Sequence, residues 1–148
     1  MIAVVQRVSE ASVAISGEIF SEIKMGYLVL LGVKKGDTDE NGTAIAKKII
    51  DLRIFEDDEG KMNLGLKDIG GEVLIISQFT LCTDNTKSGN RPSFTLAEEP
   101  GEAKRLYEKV VTEMREYYVK DMIKTGEFAA EMKIKSVNEG PVTIILEK

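Results

Sequence analysis

Histidine is missing altogether from the 148 residues. That removes the Ser-His-Asp and Cys-His arrangements of nucleophilic catalysis and any histidine-ligated zinc. A general base must then be a carboxylate, a lysine, water held by main chain, or a group on the substrate itself. Cysteine occurs once, as Cys82, so no disulfide closes within the chain, and a cytoplasmic protein is the expectation. No apolar run approaches the roughly 18 residues that a membrane helix needs. No cationic stretch followed by an apolar segment marks a secretion signal. Asp, Glu and the single Cys form no cluster at metal-ligand spacing, so neither metal nor cofactor is expected. Positive charge is also short, with 20 Lys and Arg against 25 Asp and Glu, a net charge of −5. This argues against a broad nucleic-acid groove, and no DNA partner is expected. It leaves room for one RNA end bound through a local patch, because total and local charge are different quantities.

What is present fits one domain spanning 1–148, long enough for one good core. Ile2, Val4 and Val8 open a strand with partial alternation, and Val13 and Ile15 among Ser12, Ala14 and Ser16 suggest a second. Ser16-Gly17 signals a hairpin into Glu18–Ile23. Tyr27–Val33 reads as a buried strand. Asp37 followed by Glu40 resembles a capping box for a helix near residues 39–51, whose apolar face is Ile45, Ile49 and Leu52. Arg53–Glu56 is a short strand and Asp57-Asp58-Glu59-Gly60 a solvated turn. Glu98-Glu99-Pro100 starts a second helix that keeps its period to about Val119. Tyr117 and Tyr118 are expected to pack in the core at that spacing rather than to stack RNA bases. Met132 to Val137 alternates, Asn138–Pro141 interrupts, and Val142–Leu146 is a closing strand.

The most informative stretch is Gly70 to Leu81. Val73-Leu74-Ile75-Ile76 is an unbroken apolar run entered through glycines, as in a central strand buried on both faces. It ends abruptly in Ser77, Gln78 and Thr80, with Phe79 between them. Polar groups at the end of a buried strand must be satisfied or used. A polar loop, 83–90, follows directly, and Lys87 and Arg91 give it positive charge.

Ser77-Gln78-Phe79-Thr80-Leu81 resembles the SQxxL signature of the D-aminoacyl-tRNA deacylase family. Asn138-Glu139-Gly140-Pro141-Val142-Thr143 resembles that family's second signature. The similarity also takes in residues 3–8, residues 52–57 and Arg91-Pro92-Ser93-Phe94, so it runs nearly end to end. It implies an α/β fold: a curved, mainly antiparallel, barrel-like sheet with two helices packed outside. It implies hydrolysis of D-aminoacyl-tRNA at the 3′ end and a homodimer. Read alone, Gly140-Pro141 is a turn with an ordinary trans bond. The resemblance implies instead a cis bond and a dipeptide that enters the other subunit's active site to reject L-amino acids. Ser77, Gln78, Phe79 and Thr80 become the catalytic candidates, with Arg7 and Asn138 in support. Arg7 is otherwise a surface strand position. Lys87 and Arg91 are RNA-binding candidates, although Ser88 interrupts the family's spacing beside Lys87.

With no histidine to serve it, Thr80 lacks the base that a hydroxyl nucleophile requires. The expected mechanism is therefore poor in side chains. Backbone N–H groups near Phe79 and Thr80 hold the carbonyl oxygen, and the terminal ribose 2′-hydroxyl helps to activate water, as the resemblance also implies. A main-chain filter that rejects by collision cannot exclude glycine, so glycyl-tRNA is an expected substrate. The alternatives are a catalytically inert tRNA-binding or dimerisation module of the same fold, and a hydrolase of free D-amino-acid esters. Cys82 reads as a small core residue.

Overall fold

A computed structural model describes residues 1–84, 86 and 88–148. Its elements are β1 (Ile2–Ile15), β2 (Glu18–Ile23), β3 (Gly26–Gly32), α1 (Asp39–Ile50), β4 (Arg53–Glu56), β5 (Met62–Gly65), α2 (Leu66–Ile69), β6 (Glu72–Ser77), α3 (Pro100–Tyr117), β7 (Ile123–Thr125) and β8 (Met132–Glu147). Short 3-10 turns lie at Phe79–Cys82 and Lys120–Met122. The main sheet runs β2-β1-β3-β6-β7, and β8 lies along β1. β1 is antiparallel to β2, β3 and β8, whereas β3–β6 and β6–β7 are parallel. The sheet is thus mixed and curls into a nearly closed barrel. Ser21 Oγ on β2 donates to Thr125 O on β7 at 2.6 Å, across the remaining gap.

The central strands serve two cores. Val73 and Ile75 of β6, with Tyr27, Val29 and Leu31 of β3, face α1 and α3. Leu74 and Ile76, with Leu28, face the other way, onto Val8, Ala11, Val13 and Ile23 inside the curl. β1 contributes to both, with Ala3 and Val5 in the first and Val8, Ala11 and Val13 in the second. A regular strand cannot switch faces, because its side chains alternate with period two. β1 switches just after Val8, where its register with β8 shifts between Val8 and Glu10 and one extra residue falls on β1; up to Val8 its pairing with β3 is regular. Its irregular polarity therefore belongs to one continuous strand of 14 residues, not to two.

Several expectations need correction. Among the described residues a third helix, α2, accompanies the two expected. α2 is one turn of four residues, too short to show a period, and closes with Gly70 in the left-handed region at φ 62°. The cap of α1 lies one residue further on than Asp37 and Glu40: the Thr38 N–H donates to Asn41 Oδ1 at 2.9 Å. Asp37 instead accepts from the Lys34 N–H at 2.6 Å, which closes the preceding turn. Residues 132–147 form one strand through Asn138–Pro141. Ile123–Thr125, in a stretch of ambiguous pattern, pairs with β6. Tyr118 packs as expected, its hydroxyl donating to Gly71 O at 3.0 Å. Tyr117 is 39% exposed and lies on the surface, its hydroxyl on Asp51.

Gly26 marks the closest approach between β3 and β6. A Cβ there would stand 1.8 Å from the Glu72 carbonyl oxygen. Backbone cannot yield as a flexible side chain does. Gly26→Ala should cost about 3 kcal/mol or more, read as a lower denaturation midpoint in guanidinium. Gly101→Ala, with open space at the Cβ, is the control.

Candidate active site

β6 is sealed on both faces up to Ile76, so Ser77 is the first residue of the strand that leaves the core. Gln78 follows it in hydrogen bonding: its N–H donates to Leu31 O at 2.8 Å and extends the pairing with β3 by one residue. The chain then turns into the 3-10 segment Phe79–Cys82. The first N–H groups of such a turn, here those of Phe79 and Thr80, have no acceptor within it. They are the donors a developing oxyanion requires. The turn sits hard against the end of β3 because Gly32 has no side chain. A Cβ at Gly32 would lie 3.0 Å from both Cys82 Sγ and Gln78 O.

Ser77, Gln78 and Phe79 line a cleft of about 470 Å³, whose far walls are Glu98, Pro100, Phe128 and Met132. The Thr80 hydroxyl is occupied as an acceptor: Gln78 Nε2 donates to its Oγ1 at 2.6 Å. The Thr83 hydroxyl in turn donates to Thr80 O at 2.6 Å. Phe79 is 58% exposed and makes an edge-on contact with Phe94 at 5.2 Å. Phe94 belongs to the 83–99 connection. Residues 96–98 of that connection are laced to 33–35, with Lys35 N–H on Leu96 O and Glu98 N–H on Val33 O. Glu98, Phe94 and Phe128 were not anticipated as neighbours of the site. No local pattern relates them to Ser77, and only the tertiary fold joins them. Arg91 is exposed in the same connection. Lys87 lies outside the described residues.

The second group of expected residues lies elsewhere. Between the pairs Gln6↔Thr143 and Val8↔Asn138, β1 has only Arg7 whereas β8 has Glu139, Gly140, Pro141 and Val142. The four-residue side bulges outward, and the Gly140–Pro141 bond is cis. Asn138 spans the base of this bulge. Its Oδ1 accepts from the Val142 N–H and its Nδ2 donates to Thr143 Oγ1, both at 3.2 Å. Arg7 is not a surface residue, its side chain being 11% exposed. Nε donates to Glu139 O at 3.3 Å and Nη1 to Ile54 O at 2.8 Å. Arg7 and Gly140 share a separate cleft with Phe55, Glu56 and Glu139. Within one chain, then, Ser77–Thr80 and Gly140-Pro141 do not meet.

Among the described residues no group of three Asp, Glu, Cys or His side chains could hold a metal ion, and no helix is long and apolar enough to cross a membrane. Cys82 is buried, and its Sγ donates to Val33 O at 3.3 Å. Burial pushes its thiol pKa up, which disfavours the thiolate that a nucleophile needs. The native protein should therefore resist a thiol-alkylating reagent at pH 8 and label only on unfolding. Rapid native labelling, followed by mass spectrometry, would contradict this.

Comparison with known proteins places the chain. The family model described as D-Tyr-tRNA(Tyr) deacylase matches residues 4–147. A D-aminoacyl-tRNA deacylase of Pectobacterium atrosepticum is 49% identical over 99% of both chains. That of Pelobacter propionicus is 51% identical over the full length of both. Among solved structures, one titled c-Myc DNA unwinding element binding protein is 42% identical, with TM-score 0.94 over 100% of this chain and 99% of that one. A probable eukaryotic D-amino acid tRNA deacylase shares the fold at TM-score 0.83 and 14% identity, covering 99% and 98% of the two chains.

Proposed function

The chain belongs to the D-aminoacyl-tRNA deacylase family and is an enzyme of that class, and on that premise we propose how its residues cleave the ester joining a D-amino acid to the terminal ribose of tRNA. The observation that carries this is the set Ser77, Gln78 and Phe79 at the open end of a doubly buried strand, on a cleft of about 470 Å³. Water adds to the ester carbonyl. The carbonyl oxygen takes up negative charge facing the Phe79 and Thr80 N–H groups, each well-placed donor contributing about 3 kcal/mol to the transition state. The bond to the ribose oxygen then breaks, that oxygen recovers a proton, and free D-amino acid and tRNA leave. Gln78 and Ser77 orient substrate and water. Thr80 holds Gln78 and has no base to make it a nucleophile. The ribose 2′-hydroxyl, adjacent to the ester, assists the water.

Chirality is read by main chain. Arg7 and Asn138 fix the bulge 139–142 from both sides, and it lines a cleft separate from its own Ser77 cleft. In a homodimer, Gly140-Pro141 of the second copy enters the cleft and stands where an L side chain would project. Rigid main chain discriminates by collision, with no need to recognise each D side chain. The setting is the cytoplasm, in keeping with a lone, buried thiol.

The direct test is hydrolysis of matched D- and L-aminoacyl-tRNA by wild type and by a variant lacking Gly140 and Pro141. Wild type should clear only the D form, and the variant should lose that preference. Failure of wild type to distinguish the two would overturn the assignment of chiral selection. Thr80→Ala should keep activity within about tenfold of wild type, whereas replacing the terminal 2′-hydroxyl by hydrogen should cost 100-fold or more, in single-turnover assays. A trapped acyl ester on Thr80 would refute this division of labour. Glycyl-tRNA should be hydrolysed at enzyme concentrations that clear the D substrate. Glycyl-tRNA left intact there would rule out a filter based on collision.

A further inference from the structure

Three clefts share walls one after another. Phe128, in the wall of the Ser77 cleft, also lines a second cleft with Thr125 and Arg115. Thr125 and Arg115 in turn line a third, of about 330 Å³, together with Phe20, Lys120 and Lys124. The third cleft gathers three cations, Arg115, Lys120 and Lys124, against one carboxylate, Asp121. In a chain of net charge −5, that is a local reversal of sign. Along the way Glu108 adds one carboxylate to the second cleft, and Lys104 faces it at 3.8 Å.

The side chains suit a nucleic-acid strand. Lys120 is exposed and Lys124 half-buried, and neither forms an ion pair among the described residues. Arg115 is anchored where the second and third clefts meet, with Nη2 donating to Ile123 O at 3.2 Å. Its Nε is enclosed and has no acceptor. Phe20 is 52% exposed on the rim, an apolar face beside cations. That pairing serves unstacked bases and their phosphates. A protein partner with an acidic face would also answer the charge, but it would not explain why the shared walls lead, through Thr125 and Phe128, to the Ser77 site.

We propose that this line of clefts is the track of the substrate RNA, with Lys120 and Lys124 bound to phosphates of the acceptor strand beyond the ester and Arg115 shaping the passage. This rests on the deacylase reading and extends it from the ester to the body of the tRNA. The two lysines contribute ground-state binding only, remote from the reacting atoms.

The test compares two substrates, full-length D-aminoacyl-tRNA and a D-aminoacyl-CCA trinucleotide, with wild type, Lys120→Ala/Lys124→Ala and Lys120→Glu/Lys124→Glu. For the tRNA, the alanine pair should raise KM about tenfold with kcat unchanged. The slope of log KM against log salt should become shallower by about 1.4, as expected for two lost phosphate contacts. The glutamate pair should raise KM further. On the trinucleotide both variants should match wild type, which also reports that they fold. Wild-type KM and salt slope on tRNA in both variants would overturn the inference, as would equal loss on both substrates. A wild type inert toward D-aminoacyl-tRNA would instead sink the deacylase reading itself, and the track with it.

Discussion

The double burial of β6 is the constraint from which the site follows. Four consecutive apolar side chains point alternately into two separate cores. Each fully buried aliphatic side chain contributes about 1.5–3 kcal/mol, so polarity is excluded along the whole run. Chemistry has to begin where the second face opens, at Ser77. Parallel pairing with β3 on one side and β7 on the other then aligns the ends of three strands. Gly32 on β3 thereby lies against the turn that follows β6, and the segment after β7 becomes a wall of the cleft. The candidate set at this strand end is small: a hydroxyl, an amide and the backbone dipoles of the turn that follows.

β1 organises the other candidate element, the bulge on β8. It passes from one core to the other, and Arg7 sits just before the crossing. Beside that crossing its partner strand carries three more residues than β1 does. An arginine there has main-chain oxygens within reach on both sides, Ile54 O on β4 and Glu139 O on the bulge. Its nearly buried guanidinium is therefore a mechanical link between a short hairpin and the 139–142 bulge, in place of the solvent-facing strand position that its neighbours suggested. Tyr27 strengthens the same region. It stacks on Phe55 at 5.3 Å and donates to Leu52 O at 2.6 Å.

The elements legible in the sequence were those whose pattern is local and long. α3 shows its period over five turns, α1 shows it more briefly, and the β6 run announces both its burial and its polar end. The features that escaped are set by partners distant along the chain. β1 hides its continuity because the face it buries switches midway. β7 has three residues and owes its strand state to β6. α2 is a single turn. In the site, the signature residues were visible as a motif, whereas the residues they face, Phe94 and Glu98 of the 83–99 connection and Phe128 after β7, come from two distant stretches with no shared pattern. The cap of α1 was displaced by one residue because Asp37, the better capping side chain, is held by the turn before it.

The lopsided pairing opposite Arg7 has an evolutionary corollary. A sheet ladder normally fixes chain length, since one added residue reverses every side chain beyond it. Here the ladder breaks off before the bulge and resumes after it, so residues can be gained or lost between Asn138 and Thr143 without disturbing the rest of β8. The attitude of the loop is set locally, by one arginine and one asparagine, so a change of length here alters the loop they hold and leaves the ladder on either side of it paired.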